Sequence, residues 1–220
     1  MATSTAEDYL KQILLLSEGA DGLVAMGALA TALDVVPGTA TTMVKALAAD
    51  GLVDHQLRLG VRLTAAGRRV ALGVLRRHRL IETFLVETLK MDWTEVHAEA
   101  EQLEHAISDA VLDRLDTLLG HPATDPHGDP IPSRQGRLSS QVYATLATCV
   151  TTRPFRVVRV TDQSPEFLKF VAQNDLLPGD TLRVGGRDLA AGLVNVKQSG
   201  SRTLALSLAA AGKILVEPAK

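Results

Sequence analysis

Apolar positions at Tyr9, Ile13 and Leu16 follow a helical period behind Ser4 and Glu7, which have the spacing of a capping box, so a first helix is predicted to about Glu18. Beyond a turn at Gly19 to Gly22, the run GALATALDVVPGTATTMVKALAADGLV reads as a short helix, a tight connection near Asp34 to Pro37, and a second helix closed by Asp50 and Gly51. This is the grammar of a helix-turn-helix. In the second helix Val44, Leu47 and Ala48 make the buried stripe, while Pro37, Gly38, Thr39, Thr41, Thr42 and Lys45 are small, polar or basic. A helix that enters the DNA major groove needs that division, because its first turns approach base edges while its other face packs on a core. Leu52 to His55 and Val61 to Leu63 then read as two short strands about a turn at Arg58 to Gly60. They form a wing on which Arg58 and Arg62 would reach phosphate or the minor groove.

Thr64 caps a long amphipathic helix to about Leu89; a further helix starts at Thr94, and another spans about Ser108 to Leu119. From Gly120 to about Arg153 the residues turn to Pro, Gly, Asp, Ser and Gln, as in a linker. FRVVRVT, TLRVGG and LVNVKQS are β-branched or alternating runs, Ser164-Pro165-Glu166 opens a short helix, and Pro178-Gly179 makes a turn. The expected fold is α+β and multidomain. It has a winged helix-turn-helix over residues 1–72, an all-α domain over 73–140, a linker over 141–153 and an SH3-sized β-barrel over 154–220.

Charge sharpens this division. The 220 residues carry a net charge of only −2. Yet residues 37–79 hold eight Lys or Arg against Asp50 and Asp54, and residues 80–130 hold twelve acids against Lys90 and Arg114. A basic segment joined to an acidic one suggests phosphate contact by the first and cation binding by the second. Within the acidic segment His97, Glu101, Glu104 and His105 have offsets that on one helix would gather them into an arc of roughly 100°. Like charges at Glu101 and Glu104 repel unless a cation lies between them, although a Glu-rich helix face can also be plain solvated surface. His78 and Glu82 lie one helical turn apart. No P-loop, nucleophile elbow or Rossmann glycine pattern is present. A carboxylate-bridged metal enzyme would need His three residues after Glu, but Gln102 stands three before His105. The chain is therefore read as a non-enzyme. Cys149, the single cysteine, reads as a small buried residue. With no apolar run near ~18 residues and no leader pattern at the N-terminus, a reducing cytoplasm and no membrane are expected.

The order of motifs AEDYLKQI, VKALAADGLV, LTAAGRRVA, HRLIE, VHAEAEQLEHAISD and DPHGDPIP resembles the three-domain metal-dependent repressors typified by the diphtheria toxin repressor and the manganese transport regulators. The resemblance covers nearly the whole chain. It implies a metal-activated homodimer, held by the middle domain, that binds a double-stranded operator with inverted-repeat symmetry and controls metal-homeostasis genes. An activating site would comprise Asp8, Glu101, Glu104 and His105. An ancillary site would comprise His78, Glu82 and His97 with Glu166 as a carboxylate from the SH3-like domain, and in some members the linker histidine, here His127, lies nearby. For Asp125 and His127 a Pro/Gly-rich linker with incidental polar residues is an equal reading. The iron-responding branch has Met where this chain has Asp8 and Cys where it has Glu101. Hard carboxylates in their place favour Mn²⁺, with Fe²⁺ the weaker activator. Binuclear manganese regulators have Glu where this chain has Lys11, so two separated sites are expected rather than a bridged pair. A winged-helix regulator that answers to an organic ligand remains the alternative.

Overall fold

The computed structural model describes residues 3–17, 22–139, 141–150, 153–198 and 203–219. The predicted turn at Gly19 to Gly22 lies largely outside them. The chain divides into two compact units, the first made of residues 1–78, 104–107 and 132–138 and the second of residues 79–103, 108–131 and 139–220.

In the first unit α1 (Ser4–Ser17) is capped one residue earlier than expected: Thr3 rather than Ser4 takes the role, its Oγ1 accepting from Ala6 N at 3.3 Å. Glu7 is thereby released from a capping box, and its side chain goes elsewhere, as described below. Helix α2 (Met26–Ala32) leads through Asp34, which has φ 50°, to α3 (Pro37–Ala49) with Pro at its first position. Strands β1 (Val53–Gln56) and β2 (Gly60–Leu63) pair antiparallel from Val53 opposite Leu63 to Gln56 opposite Gly60. Gly60 has φ +144°, and a Cβ there would lie 2.3 Å from the Val24 carbonyl, so only glycine lets Val24 bridge to Val61 beside the wing. Helix α4 (Ala65–Glu87) is capped by Thr64, whose Oγ1 accepts from Gly67 N at 3.1 Å. Its residues to His78 belong to this unit. Leu10, Ile13, Leu14, Leu29, Val44, Leu47, Val61 and Leu75 make the core, so the apolar face of α1 is packed with the helix-turn-helix and the wing.

The second unit takes the remainder of α4, α5 (Val96–Leu103) and α6 (Asp109–Leu118), the last capped by Ser108. Its sheet contains β3 (Ala144–Thr145), β4 (Pro154–Val160), β5 (Thr181–Asp188), β6 (Leu193–Gln198), β7 (Thr203–Ser207) and β8 (Ile214–Pro218). All neighbours are antiparallel in the order β3-β8-β4-β5-β6-β7, with α7 (Pro165–Gln173) following β4 and α8 (Leu208–Ala211) following β7. In β4 the buried residues are Phe155, Val157 and Val160. The switch in parity falls where the register with β8 slips between Val157 and Arg159, a bulge that turns the Val158 backbone out of the ladder. The span 141–153, expected as linker, instead supplies β3 and buries Leu146 and Cys149 in the core with Phe155, Leu168 and Val196. Its polar composition concealed two apolar anchors. Among the described residues no helix is long and apolar enough to cross a membrane.

Candidate metal centre and nucleic-acid face

Helix α5 ends at Leu103, so Glu104 and His105 stand in the turn before Ser108 rather than on one continuous acidic helix. Two forces end it there. Ser108 must be extended to cap α6, and Glu104 is drawn into a fully buried ion pair. The four residues expected on one arc are thus divided. Glu104 and His105 belong to the first unit; His97 and Glu101 belong to the second, where His97 Nε2 lies 3.8 Å from Glu101.

In the first unit, one face of α1 presents Glu7, Asp8 and Lys11, at neighbouring helical positions. His105 Nε2 is 2.8 Å from Asp8 Oδ1 and 3.4 Å from Glu104 Oε1. Its Nδ1 is 2.7 Å from Glu7 Oε2, and the other Glu7 oxygen accepts from Arg77 at 3.0 Å. Glu104 accepts from Lys11 Nζ at 2.6 Å through Oε1, and its Oε2 is 2.6 Å from His78 Nδ1. His78, expected as an ancillary ligand, thus also engages Glu104 through its Nδ1. One ligand atom from each of Asp8, Glu104 and His105 falls within 4.8 Å of the others, a set that fits a divalent cation. Sequence reasoning missed Glu7, because the capping-box reading had already given its carboxylate a role. A carboxylate that accepts the Nδ1 proton leaves Nε2 as the ligand atom and fixes the ring's orientation.

Burial alone would push the His105 pKa down, but the hydrogen bonds with Glu7 and Asp8 and the charges of Asp8 and Glu104 outweigh it and hold the pKa above its ordinary value. With a raised folded pKa, the imidazolium stabilises the metal-free protein fully below the unfolded histidine pKa. That stabilisation is lost as pH rises through the folded value. Urea titrations of the chelated protein across this range should show the decline, and His105→Ala should flatten it. Equal slopes for the two proteins would remove the imidazolium from the account.

In the second unit the loop expected as linker buries Asp125, His127 and Asp129. Glu82, Asp125 and His127 are 1%, 5% and 0% exposed, with one ligand atom of each within 4.8 Å of the others. His127 Nε2 hydrogen-bonds the Trp93 carbonyl at 3.0 Å, and the rings of Trp93 and His127 stack at 5.3 Å between centroids. The ring's other nitrogen, Nδ1, lies 3.8 Å from Glu82 Oε2 and has no hydrogen-bond partner among the described residues. A buried nitrogen lone pair left without a donor is costly unless something electrophilic meets it. Asp125 Oδ1 accepts from the backbone N–H groups of His127 and Asp129, each at 2.9 Å. Burial, then the charges of Asp129 and Glu82, push its carboxyl well above the usual range, against the opposing pull of Arg79 at 3.6 Å. This donor set also fits a divalent cation. His97 Nδ1 reaches Glu82 Oε1 at 3.2 Å. Glu166, expected to complete the ancillary set, is instead exposed in the first turn of α7 and lies in none of the candidate clusters among the described residues. Its position at a helix start, where acids favour the dipole, accounts for it without a ligand role.

On α3, Pro37, Gly38, Thr39, Thr42 and Lys45 are exposed and Thr41 is half-buried. The hydroxyls of Thr41 and Thr42 donate to the carbonyls of Pro37 and Gly38 at 2.8 and 3.0 Å. To an approaching molecule they therefore offer methyls and acceptor lone pairs rather than donors. Arg58 stands exposed at the wing turn with φ 65°, between exposed Leu57 and Leu59. Arg62 is held to Asp54 by an exposed ion pair at 2.7 Å.

Three family descriptions match successive parts of the chain. They are the N-terminal DNA binding domain of iron dependent repressors over residues 1–61, their metal binding and dimerisation domain over 64–133, and the FeoA domain over 144–218. The iron-dependent repressor IdeR of Mycobacterium tuberculosis is 40% identical over 129 residues, 58% of this chain and 55% of that protein, so the match spans about half of its length. The diphtheria toxin repressor of Corynebacterium diphtheriae is 32% identical over 186 residues, 82% of this chain and 81% of that protein. Among solved structures, a manganese-dependent transcriptional repressor in complex with manganese is 40% identical with a TM-score of 0.88, covering 97% of this chain and all of the other. The manganese regulator SloR is 35% identical with a TM-score of 0.78, over 97% of this chain and 98% of the other. The three matched segments keep the order of the family, and a relative above 30% identity is covered over four fifths of its length. The chain accordingly belongs to the family of iron- and manganese-dependent transcriptional repressors, which are DNA-binding proteins and not enzymes.

Proposed function

We propose that this protein is a cytoplasmic, manganese-responsive regulator that binds an inverted-repeat DNA operator as a metal-activated homodimer and controls metal-homeostasis genes. The observation that carries the metal reading is the buried His127 Nδ1, which has no hydrogen-bond partner among the described residues and lies with Glu82 and Asp125. Glu82, Asp125 and His127 would hold one cation, and Asp8, Glu104 and His105 a second. When bound, a divalent ion supplies positive charge that compensates the clustered carboxylates. Asp8 is on α1, and α1 packs its apolar face with α2, α3 and the wing, so tightening the Asp8–His105 contact restrains the element that carries Thr39, Thr42 and Lys45. A ligand can shift an ensemble only by its differential affinity, and the docked position of α1 is the state that these residues favour. Carboxylate-rich donors suit Mn²⁺ and, less well, Fe²⁺, although later transition metals would bind more tightly outside the cell.

Trp93 is the only tryptophan, and its ring lies on His127, which gives a direct test. Titration with Mn²⁺ should quench the tryptophan emission in parallel with operator binding. His127→Ala should abolish the quenching while leaving Trp93 in place. Operator affinity independent of Mn²⁺, with unchanged fluorescence, would overturn the proposal.

A further inference from the structure

We propose that Lys11 is an internal competitor for the cation of the first-unit cluster: its ammonium holds the Glu104 oxygen that the cation must take, and so sets the free metal concentration at which the cluster fills. This rests on the metal reading above. Lys11 is 4% exposed and Glu104 fully buried, and lysine is seldom so buried without a partner. The oxygen it grips, Oε1, is the one nearer His105 Nε2 at 3.4 Å, whereas Oε2 is engaged by His78. The ligand atoms of Asp8, Glu104 and His105 converge on the side of the carboxylate already occupied by a fixed positive charge.

A charged ammonium has no lone pair to offer a metal and repels it at short range. It also needs no recruitment. Lys11 follows Asp8 by three positions on α1, so the helix that delivers a ligand delivers its competitor at a fixed, high local concentration. In the metal-free protein the same ammonium keeps Glu104 compensated. Filling the cluster therefore exchanges one cation for another on Glu104, and the affinity measured is the difference between the two.

The test uses the full chain with His97→Ala and His127→Ala as background, which removes an imidazole from each of the other candidate clusters among the described residues, and counts free Mn²⁺ by its paramagnetic resonance signal. Lys11→Met is expected to lower the Mn²⁺ dissociation constant about tenfold or more, a tenfold change corresponding to about 1.4 kcal/mol. Lys11→Arg keeps the charge and should stay close to the background protein. Metal-free Lys11→Met should melt lower, and Mn²⁺ should raise its melting temperature by more than it raises that of the background, because the bare Glu104 gains most from the ion. If Lys11→Met folds poorly, Lys11→Gln provides the same comparison. A lower metal-free melting temperature with an unchanged dissociation constant would make Lys11 a structural counter-ion only and overturn the proposal. Failure of the background protein itself to bind Mn²⁺ would defeat the first-unit metal site instead, which keeps the two readings separable.

Discussion

Glu104→Gln should abolish Mn²⁺-dependent operator binding and destabilise even the metal-free protein by roughly 3–5 kcal/mol, the usual cost of removing one partner of a buried ion pair. The substitution keeps the shape but removes the charge that compensates Lys11 at 2.6 Å, and it exchanges the carboxylate facing His78 for an amide. For a chain of this length, that loss corresponds to a fall of roughly 6 to 20 °C in melting temperature. Thermal melts in chelator, with anisotropy of a labelled operator at rising Mn²⁺, read both effects. Glu101→Gln is the informative comparison. Glu101 is 39% exposed and faces His97 at 3.8 Å, so its loss should barely move the melt. A Glu104→Gln protein with native stability and native Mn²⁺ response would remove this residue from the centre.

The second large effect is expected at Gly128. Its φ is +87°, and a Cβ built there would come within 1.9 Å of the Val158 carbonyl and 2.7 Å of the Arg159 Cα. Both obstacles are backbone, and both belong to the bulged part of β4, where Val160 N also donates to the His127 carbonyl at 2.9 Å. Gly128→Ala combines left-handed strain of about 1–2 kcal/mol with a clash that no rotamer change relieves, so a loss of about 3 kcal/mol or more follows. The loop would have to leave β4, carrying His127 and Asp125 with it, and the Mn²⁺ quenching of Trp93 should vanish. Retention of that quenching at native amplitude would show that the loop tolerates the displacement.

Most helices, the wing and the strands β4, β5 and β6 were legible because each is set by local physics: apolar or alternating period, a Thr64 or Ser108 cap, a Pro at the start of α3. The candidate sites were legible by residue type and less so by grouping. Periodicity treated residues 97–105 as one helix and could not register that a buried pairing of Glu104 with Lys11, 93 residues away in sequence, ends it early. Likewise Asp125 and His127 sit in a Pro/Gly-rich stretch whose composition is that of a loop. Its burial depends on Gly128 meeting a bulge some 30 residues later, a contact that no local window contains. Glu166 was legible as a helix-start residue: it stands in the first turn of α7, as its spacing after Ser164 predicts.

The first unit is assembled from three separate stretches of chain, and this bears on how the protein is made. Asp8 and His105 are 97 residues apart, and at translation rates of about 5–20 residues per second the interval between their emergence is about 5–20 s. Throughout that interval the nascent helix-turn-helix exposes Asp8 and Lys11 without Glu104 or His105. Metal can therefore lock only chains that have emerged past His105, and a shorter ribosome-bound fragment that folds its DNA-reading half early remains deaf to the ion.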